Sequence, residues 1–294
     1  MVHMVSVEKL NYGMEDIIDM HADMPAVVCA HGPSLNDHKD LINRLHDDKK
    51  LIRFSVNDWF DVFESKPDYW VLSNPEYQFL NWGDKFNHYD SFLLFSTTCR
   101  EKSSNSFIRD NLKCKNILFD QRHFKSHDCL EILKNFKNYY EENKNFKFAD
   151  YGNNFSMFTP VPNQPVGYFG FDPSGACCRN KMQITIQEML QKTSGCKNHY
   201  STGDTVVLHA ISFAVLMGCN PIYISGLDLD YSLGYASEMS FPMNMDHYNI
   251  WQEGKRNLIN DLNILNDSAK NRGIEIINLK KEAWYKVFKS GELK

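Results

Sequence analysis

The sequence predicts an α/β fold: a mostly parallel, doubly wound, Rossmann-like sheet with helices on both faces, plus an irregular lid insertion over 141–200. Two observations carry the sheet. Short, wholly apolar strand-like runs alternate with helical patterns, and such strands belong to parallel sheets buried on both faces. These runs also end in Gly, Asn, Pro or Asp, the residues of sharp turns at the strand ends where α/β proteins place ligands. The rest of the chain reads as a single domain over 1–294, a length that suits one large core.

The first strand is Ala26-Val27-Val28-Cys29, followed by His31-Gly32-Pro33-Ser34. Gly32 can take backbone angles closed to other residues, and Pro33 fixes φ. Ser34 is the expected N-cap of a helix over 35–45, whose Leu35, Leu41, Ile42 and Leu45 share a face. Unpaired amides at such a helix start would attract a phosphate. A short helix over 14–20 precedes this unit. Strands follow at 51–56, 68–73, 91–96 and 116–119, ending for the second and third at Asn57-Asp58 and Asn74-Pro75. Residues 129–140 form an amphipathic helix. The stretch over 141–200 is rich in Pro, Gly and aromatic residues, and reads as a lid beside the site.

Regular patterning returns with Thr205–Met217, apolar on nearly every side as in a helix buried between layers, stopped by Gly218. Pro221–Ser225 is a central strand ending in Gly226-Leu227-Asp228. Residues 249–271 make a helix with Trp251, Leu258, Leu262, Leu265 and Ala269 on one face, and 275–279 give the last strand.

Composition narrows the function. The 294 residues are 43% hydrophobic and 13% aromatic, which are globular values, and the formal charge of -5 gives no nucleic-acid signal. No apolar run is long enough to span a bilayer, which leaves room for peripheral membrane contact. Eight cysteines without a C-x-x-C pair suit a reducing, cytoplasmic setting; the adjacent Cys177-Cys178 carry no assigned role. His123, His127 and Cys129 have the spacing of zinc ligands but lack a fourth, so a helix start explains them better. Asp228-Leu229-Asp230 has the D-x-D form that holds Mg²⁺ in many nucleotide-sugar enzymes, and alternation along an extended strand end would aim both carboxylates to one side. Asn57 and Asn74 offer paired donors and acceptors that can read a pyrimidine edge or ribose hydroxyls, although Asx turns alone also account for them.

Four blocks, A-H-G-P-S-L, F-S-V-N-D-W-F, V-L-S-N-P-E-Y and Y-I-S-G-L-D-L-D-Y, occur in an order that resembles the bacterial sialyltransferases using CMP-sialic acid. The same order resembles a broader group that includes motility-associated flagellin glycosyltransferases and archaeal 6-hydroxymethyl-dihydropterin diphosphokinases. The resemblance covers residues 26–80 and 201–279; the middle third has no match. It implies a glycosyltransferase that moves a sialic or related nonulosonic acid from a CMP-activated donor to a hydroxyl of a glycan, glycolipid or protein. It assigns Gly32, Ser34, Asn57 and Asn74 to the nucleotide and brings Ser201, Thr202 and Gly203 to the donor; His31, Gly226 and Asp228, on the same strand ends, complete the expected nucleotide set. Tyr231 and Tyr235 would stabilise the leaving phosphate and His247 would be the base, with no cofactor or metal required.

The chain departs from the family at His31, where the family has Asn, and in the register of His247. Asp228 also matches a position that braces the strand turn. A diphosphokinase using ATP and Mg²⁺, with Asp228 and Asp230 as metal ligands, is the alternative reading, and a non-catalytic nucleotide-binding module is a third. Self-association is left open.

Overall fold

The structure is a computed structural model that describes residues 10–72, 82, 84–97, 112–120, 186, 189–190, 193, 205–230, 234–236, 258–259 and 261–294. Its centre is one sheet of eight parallel strands: β1 (Ala26–Cys29), β2 (Ile52–Val56), β3 (Tyr69–Leu72), β4 (Phe92–Thr97), β5 (Asn116–Asp120), β6 (Ile222–Ser225), β7 (Ile276–Asn278) and β8 (Lys289–Ser290). Their spatial order is β5-β4-β3-β2-β1-β6-β7-β8. The chain therefore winds outward from β1 in one direction through β5, then returns to β1's other edge and winds the opposite way. That is the doubly wound α/β topology, and its direction reverses between β1 and β6.

Residues alternate between two buried layers, as strand geometry requires. Ala26, Val28, Phe54, Val56, Val71, Leu94, Ile222 and Ile224 face one layer with the helix α2 (Val206–Leu216). Val27, Cys29, Trp70, Leu72, Leu93, Phe95 and Tyr223 face the other, where Ile42 of the helix α1 (Lys39–Asp47) packs. All eleven residues of α2 are buried, which is why its sequence is apolar on every side. The two polar ones are accommodated: the Ser212 hydroxyl donates to the Leu208 carbonyl at 2.7 Å, and His209 meets Phe119 edge-on. The C-terminal carbonyls of α2 are covered by the leading segment, since the Asp19 amide donates to Leu216 and the His21 amide to Met217. Burial pushes the thiols of Cys29, Cys114 and Cys219 up to about 12, so these three are packing residues without thiolate chemistry.

Several expectations change. The leading segment is a 3₁₀ turn over Met14–Ile17 rather than a longer helix. The segment after β1 is also split: Pro33–Asp37 is a 3₁₀ turn, and α1 begins only at Lys39 with His38 as N-cap. Ser34 is therefore inside a tight turn and is not a helix cap. A two-residue edge strand, β8, was not expected; its burial pattern is fully exposed, so it carries no apolar signal. Of the stretch read as a lid, Ile186, Met189 and Leu190 are helical and buried in the same layer as α2, so that end belongs to the core. The rest of the stretch, the helix over 129–140 and residues 249–257 lie outside the described residues.

Phe213 is fully buried in α2 with its ring centroid 4.9 Å from that of Phe119. Phe213→Ala should cost about 3–5 kcal/mol, read as a lowered urea midpoint with an unchanged slope.

Candidate functional site

The winding reverses between β1 and β6, where α/β sheets bind ligands in the crevice at the carboxyl ends of their strands, and the parallel register decides which residues meet there. Cys29 pairs with both Ser55 of β2 and Ser225 of β6, so His31 and Gly32 come level with Asn57-Asp58 on one side and Leu227-Asp228 on the other. The sequence-predicted His31, Gly32, Ser34, Asn57, Gly226 and Asp228 are thus assembled by strand pairing alone.

The crevice floor is backbone against backbone. Ala30 donates to the Ser225 carbonyl at 2.8 Å and Gly32 to the Gly226 carbonyl at 2.7 Å. A Cβ on Gly32 would stand 2.1 Å from Asp228 Oδ2 and 2.5 Å from the Gly226 carbonyl oxygen; one on Gly226, whose φ is +76°, would stand 2.5 Å from the Ala30 carbonyl oxygen. Both positions need glycine because two strand ends cross at van der Waals limit.

Asp228, 3% exposed, joins the two turns. Its Oδ2 accepts from the Ser34 amide at 3.0 Å, and its Oδ1 forms an ion pair with Lys280, which follows β7. The carboxylate thus takes the place at the turn that a phosphate was expected to fill. Both amides of the expected cradle are engaged, Gly32 with Gly226 and Ser34 with Asp228. Asp228 thus braces the strand turn, and the alternation that would aim Asp228 and Asp230 to one side is not found. Strand β6 ends at Ser225, and Leu229 lies at φ +51°, so the chain between the two aspartates turns instead of alternating. Both Asp228 oxygens are already engaged, and no group of three or more metal-ligating side chains occurs among the described residues.

On the β2 side, Asp58 is held in a 3₁₀ turn whose next residue, Trp59, is buried in an aromatic cluster with Trp70, Phe60 and Tyr89. Asn57, at φ +47°, offers its carbonyl to Trp70 Nε1, which locks this turn onto β3. Asp58 Oδ1 lies 3.1 Å from His31 Nδ1, with the side chains 2% and 10% exposed. A strap over 234–236 covers the same end: Ala236 donates to the His31 carbonyl at 2.8 Å and accepts from Asn36 Nδ2 at 2.9 Å. Tyr235 on this strap is 38% exposed, and its hydroxyl is pushed above the usual phenol range by burial and by the Asp58 charge, so it remains a protonated donor. Trp284, half exposed, reaches the Asp228 carbonyl with its Nε1 at 3.3 Å.

Three buried polar atoms of these turns find no partner among the described residues: His31 Nε2, Ser34 Oγ and Asp58 Oδ2. Asp58 and Lys280 escaped the sequence reading. The N-D pair at the end of β2 had drawn notice for its asparagine, and only the register shows that the aspartate faces His31. Lys280 follows an unremarkable strand and carries no motif. Tyr231, Asn74, Ser201, Thr202, Gly203 and His247 lie outside the described residues. Asp230 is described, but no metal geometry joins it to Asp228.

No family model matches the chain, and no curated protein matches it. Among solved structures the chain is similar to the MAf glycosyltransferase from Magnetospirillum magneticum AMB-1, with 12% identity and a TM-score of 0.47 over 94% of this chain and 35% of that one. It is also similar to the sialyltransferase CstII from Campylobacter jejuni, solved with the substrate analogue CMP-3FNeuAc, with 14% identity and a TM-score of 0.38 over 90% and 84% of the two chains. The chain therefore spans about a third of the length of the first of these proteins. The functional reading below rests on the residues of the site.

Removing the brace tests the geometry directly. Asp228→Ala leaves Lys280 without its partner and the Ser34 amide without an acceptor, and should cost about 2–3 kcal/mol in urea unfolding. An unchanged midpoint would show that the carboxylate does not hold the strand ends together.

Proposed function

We propose that the chain is a glycosyltransferase that takes a sugar from a nucleotide-activated donor bound in the crevice between β1 and β6. The observation that carries this reading is the group of buried polar atoms without a partner among the described residues on two adjacent strand-end turns, His31 Nε2, Ser34 Oγ and Asp58 Oδ2. Buried polar atoms are otherwise nearly always paired, so such a cluster at a topological switch point calls for a polar ligand. A nucleotide supplies what they lack: phosphate oxygens for the imidazole and the hydroxyl, and ribose hydroxyls for the carboxylate.

The sequence resemblance narrows the donor to a CMP-activated sialic or related nonulosonic acid. Asn57 and Asn74 would then read the cytidine, and Ser201, Thr202 and Gly203 would approach the donor. Tyr235, kept protonated by its surroundings, would donate to the leaving phosphate together with Tyr231. His247 would take the proton of the acceptor hydroxyl, on a glycan, a glycolipid or a protein. No helix among the described residues is long and apolar enough to cross a membrane. The engagement of both Asp228 oxygens favours this reading over the ATP- and Mg²⁺-dependent diphosphokinase, which needs that carboxylate for its metal.

Calorimetry with CMP, CDP, UDP and ATP, each with and without Mg²⁺, tests the donor class. CMP should bind without metal, and binding of ATP alone, only with Mg²⁺, would overturn the proposal. His247→Ala should retain less than about a tenth of the transfer rate while binding CMP normally. A wild-type rate would remove His247 from the mechanism.

A further inference from the structure

The crevice lacks the backbone donors that ordinarily hold a phosphate. The Gly32 and Ser34 amides are already bonded to Gly226 and Asp228, Pro33 has no N–H, and the Lys280 ammonium is paired with Asp228. At the described strand ends, the donors left for an anion are side chains: the Ser34 hydroxyl, the Tyr235 phenol and the ring of His31. Only the last can carry a positive charge.

His31 is built to do so. Its Nδ1 lies 3.1 Å from Asp58 Oδ1, and the aspartate is 2% exposed. An imidazole held in this way donates through Nδ1–H, which leaves Nε2 as the atom that gains or loses a proton. Nε2 is buried with no partner among the described residues. Other titratable groups surround the pair. Tyr235 on the strap stays neutral, Asp228 and Lys280 compensate each other, and His38 turns its Nδ1 to the Ser34 carbonyl and the Ser225 hydroxyl at 3.2 and 3.4 Å.

We propose that the Asp58–His31 pair is the anion contact of the crevice: His31, protonated and oriented by Asp58, donates through Nε2 to the phosphate of the bound nucleotide. This rests on the nucleotide-site reading above. Asp58 is the positioning residue. An asparagine in the place of His31, as in the family that the sequence resembles, could hydrogen-bond a phosphate but could not change charge. Donor binding is therefore linked to proton uptake in this chain. The linkage has a definite sign: the anion favours the imidazolium, so affinity is highest at low pH and falls as pH rises through the histidine range.

The test uses the methyl ester of cytidine 5′-monophosphate, a diester that keeps one negative charge throughout, so the ligand itself does not titrate. Calorimetry of the full chain in buffers of different ionisation enthalpy should show net proton uptake on binding. Affinity should fall about tenfold between roughly pH 5.5 and pH 8.5. His31→Asn should bind with no uptake and a flat pH profile, and Asp58→Asn should move the uptake to lower pH. Diester binding by the wild type without proton uptake overturns the proposal, as does uptake that persists in His31→Asn. Cytidine binding as tightly as the diester overturns the phosphate contact while leaving the nucleotide site standing. If neither compound binds the wild type, the nucleotide-site reading itself fails.

Discussion

The carboxylate of Asp228 is the constraint on which the site depends. It ties the turn after β1 to the end of β6 and, through Lys280, to the end of β7, so three strand termini share one buried charge pair. A buried ion pair gives little net stability against an apolar replacement, because desolvation offsets most of the attraction. Its effect here is geometric. With the Ser34 amide bonded to Asp228, the turn after β1 is held against the end of β6.

The same contact explains why the site is made of side chains. In many nucleotide-binding α/β proteins the helix start itself supplies amides to the phosphate. Here the protein's own carboxylate occupies that place, which leaves imidazole, hydroxyl and phenol groups for the ligand. Gly32 and Gly226 bring the two strand ends so close that no Cβ fits between them. The floor is therefore backbone packed on backbone, and His31, Asp58, Tyr235 and Trp284 lie around it.

Much of the fold was legible in the sequence. Short apolar runs located the first seven strands to within a residue or two, because strands buried on both faces need continuous apolar character. The buried helix α2 was equally plain, since a helix covered on all sides cannot hide its composition. Local propensity failed where a long-range contact decided the outcome. The exposed strand β8 is set by pairing with β7 and not by apolar character. The site was half legible for the same reason. Turn-forming residues marked the strand ends, but the His31–Asp58 pair depends on register, which the sequence states only once the strand order is known. Leu229 reversed the reading of the D-x-D segment: alternation presumes an extended chain, and its left-handed conformation ends that extension.

The position of β1 has a consequence for biosynthesis. It precedes the other seven described strands in the chain and lies inside the sheet, yet its partner on one side, β6, follows nearly two hundred residues later. During synthesis the strands β1 to β5 can pair in order as they emerge, while the β6-facing edge of β1 stays open. The crevice cannot exist until that edge is closed. Pairing of β6 with β1 is therefore the step that brings Gly226 and Asp228 to the Gly32 and Ser34 amides.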